Sequence, residues 1–177
     1  MIDTQINPRK FMLIESLQIP LNEISFDTVK NFIIDPITNK PYQGMILEGC
    51  FVDLSNDGPN NNKRFYDIPS YLELIKILRK QIFSPKGVYG QYEHPEGYAV
   101  DGKKVSHKII DIWWDESQKK VFGRVLLLNE GDGLLAQAVI RSGGQLGISA
   151  RAAGEEKKRA DGSFDCKVKL LVTFDLV

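Results

Sequence analysis

The sequence predicts an α+β fold whose second half is dominated by paired strands. Residues 69–83 and 131–141 carry apolar side chains at helical spacing and predict two amphipathic helices. Residues 105–114 and 121–128 read as strands and flank a short polar turn, which is typical of a hairpin. Asp161-Gly162 favours a tight turn and indicates a second hairpin. Two helices set among hairpins define the α+β class.

The first half of the chain gives fewer elements. Residues 11–19 form a mixed, apolar stretch that we expect to be extended, and residues 26–34 predict a short helix. Residues 45–54 alternate well enough to predict a strand. Residues 55–63 are polar and rich in turn formers, so they predict a loop.

The second hairpin brings two polar residues close together. Residues 145–151 predict a short strand and residues 164–176 a long one. A tight turn places Ser149 beside the position opposite Asp175. A one-residue bulge, for which Gly154 is a plausible position, would place the two residues directly opposite each other on one face. Opposed side chains lie roughly 5 Å apart, so a third group is needed between or beside them.

Composition indicates an ordinary globular domain. A chain of 177 residues with 42% hydrophobic content can form one domain with a real core. Its 23 basic and 23 acidic residues cancel, so charge gives no argument for a nucleic-acid or membrane partner. No apolar run approaches the ~18 residues of a membrane span, and no signal peptide is visible at the N-terminus. The two cysteines, Cys50 and Cys166, lack CxxC spacing and are expected to be reduced, partly buried thiols.

Ser149, His94 and Asp175 supply the three chemical groups of a serine hydrolase site. A histidine with a pKa near ~6.5 can take the proton of a serine hydroxyl and return it to the leaving amine. A carboxylate fixes the tautomer of the ring and stabilises the imidazolium. The negative charge that develops needs fixed donors, and the backbone around Arg151 and Ala152, or the Arg151 side chain, could supply them.

Two residues compete for these roles. His107 is the other histidine, but it lies in the middle of an apolar strand, so we expect a structural role for it. Glu93 is the main rival for the acid, although neighbouring strand residues point to opposite faces, which separates it from His94. No metal or cofactor is predicted, since the sequence has no HExxH motif, no clustered cysteines and no phosphate-binding loop.

An ordered series of short motifs adds to this interpretation. The motifs are Gly90-Gln91-Tyr92-Glu93-His94-Pro95, Val105-Ser106-His107-Lys108-Ile109 with Trp113-Trp114, Gly123-Arg124-Val125, Gly131-Asp132-Gly133, Gly147-Ile148-Ser149-Ala150-Arg151-Ala152-Ala153-Gly154 and Thr173-Phe174-Asp175-Leu176-Val177. They resemble motifs of the prohead (head-maturation) proteases of tailed bacteriophages, and the resemblance covers about residues 45–177. That family is similar in fold to assemblin, the capsid maturation protease of herpesviruses.

The resemblance implies a mostly antiparallel, barrel-like sheet surrounded by helices. It also implies a serine endopeptidase that cleaves scaffold or core proteins and capsid proteins inside the immature phage head, in the host cytoplasm. His94 would be the general base, Ser149 the nucleophile and Asp175 the acid that orients the base. Residues 45–177 would form the protease domain, with residues 1–44 as an N-terminal extension that packs on it. A homodimer or higher oligomer is compatible with this family.

Three further expectations complete the sequence interpretation. The chain ends at Val177, where members of the family usually continue, so we expect a truncated or self-processed chain. A catalytically inactive core or scaffold protein with the same fold is the alternative function, and retention of serine, histidine and acid argues against it. Another serine hydrolase, such as an esterase, is disfavoured by the missing G-x-S-x-G elbow.

Overall fold

The structure, a computed structural model, describes residues 12–17, 21–23, 33–93, 95 and 97–177. Within them the chain forms eleven strands and two helices. The elements of the first half are β1 (Met12–Leu17), β2 (Asn22–Glu23), β3 (Ile34–Asp35), β4 (Lys40–Pro41), β5 (Ile46–Asp53), β6 (Arg64–Tyr66) and α1 (Ile68–Ile82). Those of the second half are β7 (Val88–Gln91), β8 (Val105–Asp115), β9 (Lys120–Leu127), α2 (Gly131–Arg141), β10 (Ile148–Lys158) and β11 (Phe164–Leu176).

The strands form two main sheets, and almost all of their pairings are antiparallel. One sheet has the order β1-β10-β11-β6 and the other the order β2-β5-β9-β8-β7, while β3 and β4 form a separate pair. The pairing of β6 with β11 is the parallel exception among these strands. The predicted α+β class with a mostly antiparallel sheet is therefore confirmed.

The two sheets enclose a shared core and meet along β7 and β11. An isolated parallel bridge joins Tyr92, just after β7, to Leu176 at the end of β11. Phe51 of one sheet and Phe174 of the other pack with ring centroids 5.0 Å apart. Helix α1 packs on β8 and β11, and α2 packs on β8 and β9. The sheets and helices together give the barrel-like arrangement, and its β7–β11 seam is where the candidate site lies.

Both predicted helices are present, and local chemistry explains their ends. Helix α1 begins after Asp67, whose carboxylate accepts a hydrogen bond from the Ser70 backbone N–H (3.1 Å). Its buried side chains recur at helical spacing and face the core: Tyr71, Ile75, Leu78 and Ile82. Helix α2 has the predicted bounds and ends before the glycine pair Gly143-Gly144.

The strand predictions are confirmed with shifted ends, except that β10 is longer than expected. It continues beyond the predicted residues 145–151 as far as Lys158. Its outer half carries the charged run 155–159, which is exposed as expected for a solvated hairpin face. Cross-strand ion pairs line this part: Glu155 with Lys169, Glu156 with Arg64, and Arg159 with Asp165. A run of charges hides the period-2 alternation that would have shown the strand in the sequence.

The first 44 residues contribute strands to both sheets. Strand β1 lies within the stretch expected to be extended and pairs with β10, and β2 pairs with β5. The helix predicted at residues 26–34 falls largely outside the described residues, and Ile34 belongs to β3. The division into an extension and a protease domain stays a prediction. Neither α1 nor α2 is both long and apolar enough to cross a membrane.

Candidate active site

Ser149 and Asp175 lie directly opposite each other in the β10–β11 hairpin. The register between the strands shifts at two irregularities, one between Arg151 and Ala152 and one at the predicted position, between Ala153 and Gly154. At each shift one residue of β11 is left without a partner in β10. The extra residues therefore lie in β11 and not in β10. The predicted juxtaposition of hydroxyl and carboxylate is therefore present.

The site occupies the polar face of the hairpin. Side chains alternate along a strand, so Ser149 and Arg151 share one face of β10, and their partners Asp175 and Thr173 share the same face of β11. All four residues are buried. The residues between them face the hydrophobic core: Ile148, Ala150, Ala152, Phe174 and Leu176. This end of the hairpin is thus covered on both faces.

Three hydrogen bonds from described residues hold the carboxylate of Asp175. Its Oδ2 accepts from Nε of Arg151 (2.8 Å), and its Oδ1 accepts from Nη2 of the same side chain (2.6 Å) and from the backbone N–H of Gln91 (2.9 Å). The ion pair is fully buried. An ionised carboxylate can accept several hydrogen bonds at once, and an imidazole N–H is one of the donors it can accept from. These bonds hold the Asp175 carboxylate in one orientation.

The Arg151 side chain directs its donors inward. Besides the two bonds to Asp175, Nη2 donates to Oε1 of Gln91 (3.0 Å), and Nη1 donates to the carbonyl oxygens of Ala99 (2.9 Å) and, at a longer distance, Tyr98 (3.5 Å). These five contacts match the five N–H groups of a guanidinium. In this arrangement the Arg151 side chain does not serve as an oxyanion donor. The backbone N–H groups of residues 151 and 152 remain the predicted donors.

Strands β7 and β8 are both attached to β11 by side-chain hydrogen bonds. The Thr173 hydroxyl donates to the Tyr89 carbonyl (2.8 Å), and Nε2 of His107 bonds the Phe174 carbonyl (3.0 Å). The approach requires glycine at position 90, since a Cβ there would lie 2.1 Å from the Phe174 carbonyl oxygen and 2.4 Å from the His107 ring. The glycine of the first motif is thereby explained by close packing of two strands.

His107 is a buried, neutral histidine. Since a carbonyl only accepts, Nε2 carries the ring proton, and Nδ1 accepts from the Ser106 hydroxyl (2.9 Å). Burial lowers the pKa of His107 to about 4, and the positive charge of Arg151 acts in the same direction, while Asp175 and the Phe174 carbonyl oppose the shift. The residue lies in the middle of β8 and makes structural contacts, as its apolar neighbours suggested.

His94 lies outside the described residues, so its assignment as the base stays a prediction. The residues before it are described. The backbone N–H of Glu93 donates to the Leu176 carbonyl (2.8 Å), next to Asp175. Glu93 has a left-handed backbone conformation (φ 63°) and is exposed, in contrast to the buried Asp175. The chain that leads into His94 is therefore attached to the end of the strand that carries the acid.

The candidate site is closed to solvent in this structure. Ser149 and Asp175 are both 0% exposed, so a peptide could reach the hydroxyl only after some part of the covering structure moves. An open cleft of about 970 Å³ lies at the other end of the hairpin, among Phe65, Asp67 and Lys157. At ~3.3 Å per residue, this is on the order of 25 Å along β10 from Ser149. The cleft is separate from the candidate chemistry.

The sequence did not reveal the parts played by Gln91 and Arg151. One signal was available, because Arg151 follows Ser149 by two residues on a predicted strand and so had to share its face. The partners of Arg151 come from β7 and from the 98–99 loop, far away in sequence. Only the packing of the two sheets brings those groups together.

A serine opposite a fixed carboxylate, in an antiparallel two-sheet fold, is an arrangement that a serine protease can use. A protein-family model described as "Prohead core protein serine protease" matches residues 34–177. The chain belongs to the prohead core protein serine protease family, and it is therefore a serine protease of bacteriophage capsid maturation. The family predicted from the ordered motifs is confirmed.

The fold agrees with that of a solved structure. The chain is similar to the capsid assembly protease of bacteriophage T4, gp21, with a TM-score of 0.74 and 23% sequence identity. The likeness covers 93% of this chain and 96% of that chain. At this identity the comparison concerns the fold. No curated protein matches the chain.

Proposed function

We propose that the chain cleaves peptide bonds by a Ser-His-Asp mechanism, with Ser149 as nucleophile, His94 as general base and Asp175 as the acid that orients the base. The observation that carries this assignment is the position of Ser149 directly opposite Asp175, on one buried face of β10 and β11. Exposed Glu93 is a poorer acid, because solvent weakens its interaction with a base.

The proposed reaction proceeds through an acyl-enzyme. His94 takes the proton of the Ser149 hydroxyl while the oxygen attacks the carbonyl carbon of the scissile bond, giving a tetrahedral intermediate. The imidazolium then gives the proton to the leaving amine as the C–N bond breaks. Water, activated by the same imidazole, hydrolyses the ester. The backbone N–H groups of residues 151 and 152 are the proposed donors to the oxyanion.

The proposed substrates are the scaffold or core proteins and the major capsid protein of the immature head. A protease of the prohead core family acts inside the prohead, on the broad class of phage core and capsid proteins. We extend this to cleavage during maturation of the head in the host cytoplasm. A homodimer or higher oligomer stays a prediction, to be checked by light scattering of the purified protein.

Co-expression with the phage core protein tests the assignment. The core protein is analysed by mass spectrometry after expression with the wild-type chain, with Ser149→Ala and with Ser106→Ala. We expect cleavage by the wild type and loss of cleavage on the order of 10⁶-fold in Ser149→Ala, with the fold retained.

Ser106→Ala is the matched control, because the Ser106 hydroxyl is bonded to the ring of the other histidine, His107. We expect it to cleave the core protein. Wild-type cleavage by folded Ser149→Ala would refute the nucleophile. Failure of the wild type to cleave any core or capsid protein would favour the alternative of an inactive core component.

A further inference from the structure

The guanidinium of Arg151 contacts described residues on both sides of His94 in the sequence. Before the turn, Nη2 donates to Oε1 of Gln91 (3.0 Å). After the turn, Nη1 donates to the carbonyl oxygen of Ala99 (2.9 Å) and, at a longer distance, to that of Tyr98 (3.5 Å). The stretch between Gln91 and Ala99, which we name the base turn, therefore begins and ends on one buried side chain.

Gln91 extends this attachment to the acid and to the loop beyond the turn. Its backbone N–H donates to Oδ1 of Asp175 (2.9 Å). Its side-chain Oε1 accepts from the backbone N–H of Asp101 (3.2 Å) as well as from Arg151. Gln91 is buried, so these bonds are sheltered from competing water. The acid, the start of the base turn and the residues beyond its end are thus parts of one hydrogen-bonded network.

The residue before His94 has an uncommon backbone conformation. Glu93 has a positive φ of 63°, in the left-handed region that few non-glycine residues occupy. Its N–H is anchored to the Leu176 carbonyl (2.8 Å). A tertiary contact therefore holds the left-handed residue that precedes His94.

We propose that Arg151 is a positioning residue that sets the place of the base turn relative to Ser149 and Asp175. The inference rests on the proposed function, since it gives His94 and Ser149 their catalytic roles. One strand, β10, carries both the nucleophile and the arginine on the same face. The hydrogen bonds of Arg151 therefore link the strand that carries the nucleophile to both described ends of the base turn, in addition to the attachments of Gln91 and Glu93 to β11. Displacement of a catalytic group by ~1 Å can reduce a rate about 10²-fold.

The competing interpretation is an ion pair that only stabilises the fold. A buried ion pair is weak evidence for stability, because desolvation of two charges offsets much of their attraction. The geometry indicates that the shape of the guanidinium is needed as well as its charge. Lysine could neutralise Asp175, but it lacks the planar fork that lets arginine reach Asp175, Gln91 and the Ala99 carbonyl at the same time.

Arg151→Lys separates the two interpretations, because it keeps the charge and removes the fork. The first measurement is the rate of Ser149 phosphorylation by diisopropyl fluorophosphate, per folded molecule, between pH 5 and 9. The second is backbone hydrogen exchange of residues 92–100. We expect the labelling plateau to fall about 10²-fold with the pH midpoint little changed, and the base turn to exchange faster, while the outer part of the hairpin is unaffected.

Two further variants keep the test decisive. Arg64→Lys is the matched control, since Arg64 pairs with Glu156 in the outer part of the same sheet, and we expect wild-type labelling and exchange. If Arg151→Lys does not fold, Gln91→Met removes the Oε1 acceptor, and with it the bonds from Arg151 and from the Asp101 backbone N–H, while the Arg151–Asp175 pair remains. Loss of the charge-assisted bond from Arg151 should lower labelling roughly tenfold.

The outcomes separate this inference from the proposed function. Wild-type labelling per folded molecule in Arg151→Lys, or in Gln91→Met if the first variant does not fold, would overturn the positioning role, whatever the exchange data show. No label on Ser149 in the wild type, or equal labelling of Ser149→Ala, would instead overturn the proposed function and the positioning role with it.

Discussion

Arg151 and Asp175 form a bidentate ion pair that is closed to solvent, with Nε–Oδ2 and Nη2–Oδ1 distances of 2.8 and 2.6 Å. The residue proposed to orient the catalytic base is therefore also the counter-ion of a buried arginine. This double role distinguishes Asp175 from Ser149, whose hydroxyl carries no charge to be balanced. The two residues should respond differently to substitution.

Asp175→Asn is expected to lose both activity and stability. The change leaves the Arg151 charge unpaired in the interior, which costs about 3–5 kcal/mol of unfolding free energy. Cleavage should fall on the order of 10⁴-fold, as in other triads that lose the acid. Urea unfolding and core-protein cleavage measure the two effects.

The control for this prediction is Asp165→Asn, which breaks the exposed pair with Arg159 on the same hairpin. It should cost no more than about 1 kcal/mol. The double variant Asp175→Asn with Arg151→Met should recover part of the stability without recovering activity. Equal unfolding free energies for Asp175→Asn and the wild type would contradict the account of the ion pair.

We expect His94 to be needed for cleavage and His107 to be needed for stability. His94→Ala should abolish cleavage and leave the protein folded. His107→Ala removes the partner of the buried Phe174 carbonyl and of the Ser106 hydroxyl and opens a cavity, so we expect a loss of about 3 kcal/mol or more. Thermal unfolding and cleavage assays on both variants provide the comparison. Exchanged phenotypes would require His107 to be reassigned as the base.

The stability of the protein should decrease in mild acid because of His107. Its folded pKa of about 4 lies below the unfolded value of 6.5, so the unfolded chain binds a proton that the folded chain excludes. The stability that neutral His107 contributes is fully present above pH ~6.5. It is lost as the pH falls towards 4, and the free energy of unfolding then decreases by roughly 3 kcal/mol in total.

His107→Gln tests this pH dependence, because glutamine can still donate to the Phe174 carbonyl but does not titrate. We expect the wild type to be the more stable protein at pH 7.5 and its advantage to shrink by pH 5. Unfolding free energies in urea at several pH values give the difference curve. A difference that does not change with pH would show that His107 has no lowered pKa.

Gly90 is expected to tolerate no side chain. A Cβ at this position would lie 2.1 Å from the Phe174 carbonyl oxygen, and the strands on either side are held by hydrogen bonds. Gly90→Ala should therefore cost more than about 3 kcal/mol, beyond the usual cost of overpacking. Gly102→Ala is the control, since nothing lies within 4 Å of its added methyl group, and it should change stability by about 0.5 kcal/mol or less. Differential scanning calorimetry of both variants gives the comparison, and similar midpoints would be evidence against the close approach of β7 and β11.

The sequence by itself determined the class of fold, both helices, the long strand β11 and the hairpin that joins it to β10. These features depend on local periodicity and on turn chemistry, which neighbouring residues specify. It also placed Ser149 within one residue of its position opposite Asp175. The ordered motifs were enough to predict the family.

Tertiary structure decided the final register, the pairing of β1 with β10 and of β6 with β11, and the partners of Arg151. Each of these depends on which distant segment packs against a strand, and side-chain alternation does not encode that choice. Arg151 could be placed on the face of Ser149 from its spacing. Its role as an anchor for Asp175 and Gln91 arises because burial leaves its N–H groups no water to bind, so the surrounding protein must supply every acceptor.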